Sequence, residues 1–264
     1  MIDLTARSRS EIRSLPASAV TIDFYKTLVD VDFATPSMCE SLTSWGYPCD
    51  EETEARFSPE RLNGKHTPQG VEYDEWRLNR VERLCEAVGV PPAKVTATAR
   101  ALIEIDRSWT VKPLAGAEEL LQALAATATP YLILTNWDYP LEPYLEQAGF
   151  SPKTAHLTSR DAGARKPNAT MFRRAAEMMG VDTGVVHLGD RWDCDVEGAL
   201  GVDWVPCWLT PDESAATRAV PYVPDLNFLT NGRPLPPAGR EAQPAAPPPP
   251  PSTRASLRRL PPAT

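Results

Sequence analysis

Three apolar segments constrain the fold more than anything else in the chain, because each runs directly into polar residues at its C-terminal end. They are AVTIDFY (19–25), PYLILTN (130–136) and GVVHLGD (184–190). Short apolar runs of this kind read as strands buried on both faces. Two further runs, TAHLTS (154–159) and DWVPCWL (203–209), read the same way. Helical patterns lie between them: GAEELLQALA, PLEPYLEQAG closed by Gly149, NATMFRRAAEMMG closed by Gly180, and the brief DVEGALG. Strands alternating with helices predict an α/β fold with a parallel sheet covered on both faces. Ligands in such folds bind at the C-terminal ends of the strands.

One stretch breaks the alternation. From about Pro36 to Arg107 the patterns are helical throughout. EYDEWRLNRVERLCEAVG places Trp76, Val81, Leu84, Cys85 and Val88 on roughly one helix face, with Arg77, Arg80 and Arg83 on a solvated one. PPAKVTATARALIEID begins with prolines and continues helical. Inserted after the first strand, this block reads as a cap. The expected division is an N-terminal arm (1–17), an α/β core (18–34 and 111–232), a helical cap (35–110) and a tail (233–264).

The tail differs in composition. It holds 11 prolines and five arginines against one acid, Glu241, so it carries about +4 and the rest of the chain about −12. Such a segment cannot bury a core and is expected to be extended or disordered. A solubilising or neutral tail is the leading expectation, and a proline-binding partner protein or an acidic surface is the alternative. The whole chain has a formal charge of −8, which argues against general nucleic-acid binding. No run of about 18 apolar residues suggests a membrane span. The five cysteines lack a Cys-x-x-Cys pair, and reduced thiols in a cytoplasmic protein are expected.

Chemistry collects at the strand ends. The first offers Asp23, Tyr25 and Thr27, the second Thr135 and Asn136, the third Asp190 followed by Asp193 and Asp195. Lys166 precedes a proline that opens a helix. Parallel neighbours would bring at least three carboxylates and one lysine to a single rim. Such acids repel one another unless a cation sits among them, and Mg²⁺, with its oxygen ligands, is the natural choice. Taken singly, each residue also reads as a loop acid or helix cap, as Asn168 and Asp193 do.

DFYKTL, LTNWD, RKPNATMF and GDRWDCDVEGA resemble, in order, the four motifs of the haloacid dehalogenase superfamily. The resemblance covers about residues 18–210. It implies a Rossmann-like core, a C1-type helical cap and a hydrolase working through an aspartyl-enzyme intermediate. On that resemblance Asp23 matches the nucleophile, Thr135 the phosphoryl-binding residue with Asn136 beside it, and Lys166 the third-motif lysine. Asp190 matches a metal ligand, and Asp195 the last acid of the fourth motif, with Asp193 its rival. Asp23 and the Tyr25 backbone carbonyl complete the implied Mg²⁺ set. Lys65 and His66, in LNGKHTPQG, are candidates for gripping substrate from the cap, as is Thr27 from the core; a solvated turn is the alternative for the cap pair.

Tyr25 departs from the phosphatase pattern, which places an acid there to protonate the leaving group. Tyrosine, with a free pKa of about 10, cannot replace it, and general acid–base catalysis contributes roughly 10²–10⁴-fold. Dehalogenases of the superfamily carry tyrosine at this position, since halide leaves without a proton. They lack an acid at the position of Asp190, however. Two like charges about 4 Å apart cost roughly 4 kcal/mol at an effective dielectric of 20, so this rim would repel a haloacid. The leading expectation is a Mg²⁺-dependent hydrolase of a small phosphorylated metabolite, fastest on esters with acidic leaving groups. Dehalogenation and a catalytically weak binding domain are the alternatives.

Overall fold

The computed structural model describes residues 17–230 apart from 33–34, 59–63, 127–128, 213–214, 216–217 and 219. The expected arm, except Ala17, and the proline-rich tail with its partner lie outside the described residues.

Six strands form one parallel sheet. They are β1 (Ala19–Ile22), β4 (Tyr131–Thr135), β5 (His156–Thr158), β6 (Val185–Gly189), β7 (Val205–Leu209) and β8 (Tyr222–Val223), in the order β5-β4-β1-β6-β7-β8. Side chains alternate across it. Val20, Ile22 and Ile133 pack on one face with α5 (Ala117–Ala126). Ala19, Leu132 and Leu134 pack on the other with α8 (Ala169–Met179). Both faces are covered, which is why these strands read as unbroken apolar runs.

Between β1 and β4 the chain leaves and re-enters through an antiparallel ribbon, β2 (Val29–Asp32) and β3 (Thr110–Pro113), with Val31 opposite Val111. The segment between them folds as α1 (Met38–Ser44), α2 (Glu51–Phe57), α3 (Gly70–Ala87) and α4 (Val95–Arg107). It has a core of its own, in which Leu42, Val81, Leu84, Cys85, Ala99 and Leu102 meet. The ribbon is not legible in the sequence. Its strands are four residues long, and each finds its partner only across the whole insert.

Two expectations are corrected. Arg77 does not lie on a solvated face; it is 6% exposed, one turn from buried Tyr73 and Val81. Cys39 and Cys49 are not free thiols but form a disulfide that ties α1 to the start of α2, with Cα atoms 5.1 Å apart. Cys85, Cys194 and Cys207 are free and buried. Among the described residues no helix is long and apolar enough to cross a membrane.

Candidate active site

Strand register assembles the rim. Ile22 pairs with Ile133 on one side and Leu188 on the other. The next residue, Asp23, therefore emerges level with Leu134 and Gly189, one residue before Thr135 and Asp190. The Asp23 N–H still donates to Leu188 O at 2.8 Å, so the backbone there is held by the sheet.

Lys166 lies at the centre. It is 1% exposed, and Nζ donates to Asp23 Oδ1 (2.6 Å), Asp195 Oδ1 (2.6 Å) and Leu134 O (2.8 Å). All three ammonium protons are used. Burial alone would depress its pKa, but Asp195 and Asp23 raise it on balance. Asn136 fixes the backbone of the same residue: its Oδ1 accepts from Lys166 N (2.7 Å) and its Nδ2 donates to Lys166 O (3.1 Å).

Asp195 is saturated. Besides Lys166 it accepts from His187 Nε2 (3.0 Å) and, on Oδ2, from Arg191 N (2.9 Å). Burial would raise its pKa, yet Lys166 and His187 hold it well below the carboxylate range. An ionised Asp195 can only accept, so His187 donates from Nε2. Burial lowers the His187 pKa. The neutral ring then accepts at Nδ1 from Thr21 Oγ1, 2.9 Å away. Gly189 completes the fit, since a Cβ there would lie 2.3 Å from the Asp195 carboxyl carbon. Asp193, the rival acid, faces outward and pairs with Arg191 at 2.6 Å.

Asp23 and Asp190 are not saturated. Burial raises the Asp23 pKa against the pull of Lys166. Asp190 is pushed up to about 7 by burial, Asp23 and Asp195. Its Oδ1 is buried with no hydrogen-bond partner. Carboxylate oxygens of Asp23, Asp190 and Asp195 lie within 4.8 Å of one another. With all three ionised, three negative charges would face one positive charge, a net of −2. This donor set fits a hard divalent cation, with Asp190 supplying the unpartnered oxygen.

Next to this rim, between sheet and insert, lies a cavity of about 460 Å³. Tyr25 and Asn136 form its near side, and Trp109, Trp137 and Tyr139 its aromatic wall. Thr27 is fully buried, with Oγ1 lacking a hydrogen-bond partner. Lys65 and His66 are exposed and do not line the cavity. Their segment instead straps the insert to the core: His66 bridges Ala164, Thr67 N donates to Gly163 O (2.8 Å), and Asn168 Nδ2 donates to Gly64 O (2.8 Å). Asn168 also caps α8 through Thr170 N.

A second buried charge cluster was not anticipated. Asp138 accepts from Tyr73 and Arg165 on Oδ1 and from Arg77 on Oδ2 (2.8 Å). Arg77 also donates to Asp106 and to Tyr139 Oη. Burial would raise the Asp138 pKa, but Arg165 and Arg77 keep it below the usual range. Two signals in the sequence pointed here and to His187. Arg77 sits four residues from both Tyr73 and Val81, on the buried stripe, and His187 is the one polar residue within β6. Polar groups at such positions need partners.

The model of the family described as haloacid dehalogenase-like hydrolase matches residues 17–203, and the chain belongs to that family. Solved structures share the fold. A 2-haloacid dehalogenase from Pseudomonas syringae pv. tomato DC3000 is 22% identical, with TM-score 0.61, over 81% of this chain and 96% of that one. A predicted phosphoglycolate phosphatase from Haemophilus somnus 129PT is 15% identical, with TM-score 0.54, over 81% and 96%. A candidate HAD-hydrolase from Bacillus subtilis, solved bound to magnesium, is 19% identical, with TM-score 0.50, over 81% and 96%. No curated protein matches the chain in sequence. The chain is thus a haloacid dehalogenase-like hydrolase, and its neighbours in fold include both dehalogenases and phosphatases.

Proposed function

We propose that this protein hydrolyses a phosphate monoester of a small molecule, with Mg²⁺, through an aspartyl-phosphate on Asp23. One observation carries the reading. Asp23, Asp190 and Asp195 cluster around a single lysine, and Asp190 keeps a buried oxygen without a partner. A haloacid carboxylate entering that field would be repelled, whereas a cation bound there favours phosphate. Asp23 and Asp190 would hold the ion, with the Tyr25 carbonyl and Asp195 at its edge. Bound Mg²⁺ would offset charge on the phosphoryl group and orient it.

The chain's own residues supply the rest. Lys166 holds Asp23 by Oδ1, leaving Oδ2 to attack phosphorus. The phosphorus–oxygen bond to the leaving group breaks, and that oxygen takes the electron pair and then a proton from water. Water next attacks the aspartyl-phosphate, returning the Asp23 carboxylate and inorganic phosphate. Thr135 and Thr27 are assigned to the phosphoryl oxygens. Asn136 acts through Lys166, whose backbone it clamps. Asp195, fixed by His187 and the Arg191 N–H, keeps Lys166 in place.

The test is a panel of phosphate esters and 2-haloacids, each with Mg²⁺ and with chelator. Phosphate release that stops in chelator is the expected result. Halide release that persists in chelator would replace this reading with dehalogenation. Ligand binding without turnover on any substrate would leave a binding domain.

A further inference from the structure

We infer that the leaving group is an aryl oxide whose ring sits in the cavity against Trp109, Trp137 and Tyr139. This rests on the phosphohydrolase reading and names its substrate class. Two independent observations converge on it.

The first concerns the walls. Trp109 meets Trp137 and Tyr139 edge to face, at centroid distances of 5.7 and 6.4 Å, and Phe57 lines the cavity from α2. The charged residues among these walls are largely consumed. Arg77, Arg165, Asp106 and Asp138 pair with one another and with two tyrosines, while Arg80 and Glu54 bond backbone groups; exposed Glu51 and the Nε–H groups of Arg77 and Arg165 are left over. What the cavity offers an occupant beyond Tyr25 is therefore chiefly apolar and aromatic surface. Rings prefer such edge-to-face surroundings, and a volume of about 460 Å³ holds a one- or two-ring body.

The second concerns the proton. Tyr25, two residues after Asp23, lines the near side of that cavity, so a phenol and not a carboxylic acid lies between the nucleophile and the cavity. Of the acids that line the cavity, Asp138, Asp106 and Glu54 already accept hydrogen bonds, and Glu51 lies exposed on α2. Both oxygens of Asp138 accept from Arg77, Arg165 and Tyr73, and Asp106 Oδ2 accepts from Arg77 and Tyr139. On this inference the leaving oxygen departs with its charge, which an alkoxide does poorly and an aryl oxide or carboxylate does well. Acidity alone leaves acyl and aryl phosphates equal candidates. The aromatic wall decides for aryl.

The full chain with Mg²⁺ is assayed on 2-naphthyl phosphate, acetyl phosphate and 2-naphthylmethyl phosphate. The expected order of kcat/KM puts 2-naphthyl phosphate first by about tenfold or more over acetyl phosphate, the gain from burying a ring. The naphthylmethyl ester should show a similar KM with kcat lower by roughly 10²-fold, the contribution of a missing general acid. Tyr25→Asp should narrow that kcat gap. Trp109→Ala should lower kcat/KM for the naphthyl ester about tenfold more than for acetyl phosphate. The product, 2-naphthol, should inhibit competitively and quench tryptophan fluorescence, less so in Trp109→Phe. Acetyl phosphate turned over as well as the naphthyl ester, with no inhibition by 2-naphthol, overturns the inference while leaving a phosphohydrolase. If no ester releases phosphate, the phosphohydrolase reading fails, and the 2-naphthol quench alone decides whether the ring site exists.

Discussion

Two buried clusters of charge lie close together in this molecule, and they are built to opposite rules. Around Asp138, two arginines meet two aspartates, and two tyrosines and a serine take up further hydrogen bonds. The sum of charges is zero. Around Lys166, three aspartates meet one ammonium, and Asp190 is left with a buried oxygen unpaired. The first cluster spans insert and core, with Arg77 and Asp106 from one and Asp138 and Arg165 from the other. It acts as a latch. The second carries more acid than base, and a bound cation would complete it. Burial is common to both, so burial does not distinguish a latch from a reaction centre; the unbalanced charge does.

The sharpest way to break that contrast is to remove one acid from each cluster. Asp23→Asn keeps shape and deletes the attacking charge. Phosphate release should fall by roughly 10³-fold or more, with the melting temperature close to wild type. Retention of more than about a tenth of the activity would break the assignment of Asp23, since loss of a nucleophile costs orders of magnitude. Asp138→Asn should do the reverse. It strands Arg77 and Arg165, and breaking a buried ion pair costs about 3–5 kcal/mol. A drop of about 10 °C in differential scanning fluorimetry is expected, with a smaller loss of activity measured well below the new midpoint. An unchanged midpoint would show that Asp138 is not a latch.

The metal gives a finer contrast. Mg²⁺ at about 100 times its Kd should stabilise the fold by about 2.7 kcal/mol. Asp190→Ala should abolish that increment, and Asp138→Asn should keep it. A Mg²⁺-induced shift that survives Asp190→Ala would place the ion elsewhere.

The smallest effect is in pH. In the fold Asp190 is raised from the usual 3.8 to about 7. Between those values the folded chain holds a proton that the unfolded chain has lost. Stability of the chelated protein therefore falls as pH climbs from about 4 to about 7, and this contribution is intact only below the lower value. Asp190→Asn should flatten that part of the stability–pH curve, and Asp138→Asn should not. Parallel curves for wild type and Asp190→Asn would mean that Asp190 is not strained by its neighbours.

Much of the sheet was readable residue by residue. β4 and β6 fall inside PYLILTN and GVVHLGD, and Gly149 and Gly180 both adopt positive φ after the helices they close. β1 is shorter than AVTIDFY suggests, because the chain turns after Asp23, with Lys26 at φ 64°. The ribbon of β2 and β3 was hidden, since four residues carry too little periodicity. The meeting of Asp23 and Asp190 followed from their places at strand ends, with Asp195 and Lys166 brought in by the turns after β6 and before α8. Their unequal standing did not. Asp193 and Asp195 are two residues apart and alike in sequence, yet one pairs with Arg191 in solvent and the other lies under Gly189 against His187.

The sequence by itself determined the alternation of strand and helix, the order of the four motifs and the rim on which their acids collect. These are local matters, carried by side-chain period and by residues a few positions apart. Tertiary structure alone decided which charges are spent and which remain available. Arg77 and Asp138 are 61 residues apart, and Lys166 and Asp23 are 143 apart. Whether a carboxylate is a latch or a ligand depends on the hydrogen-bond donors that packing brings to each of its oxygens. No local pattern records that count, because the donors arrive from elements that meet only in the folded chain.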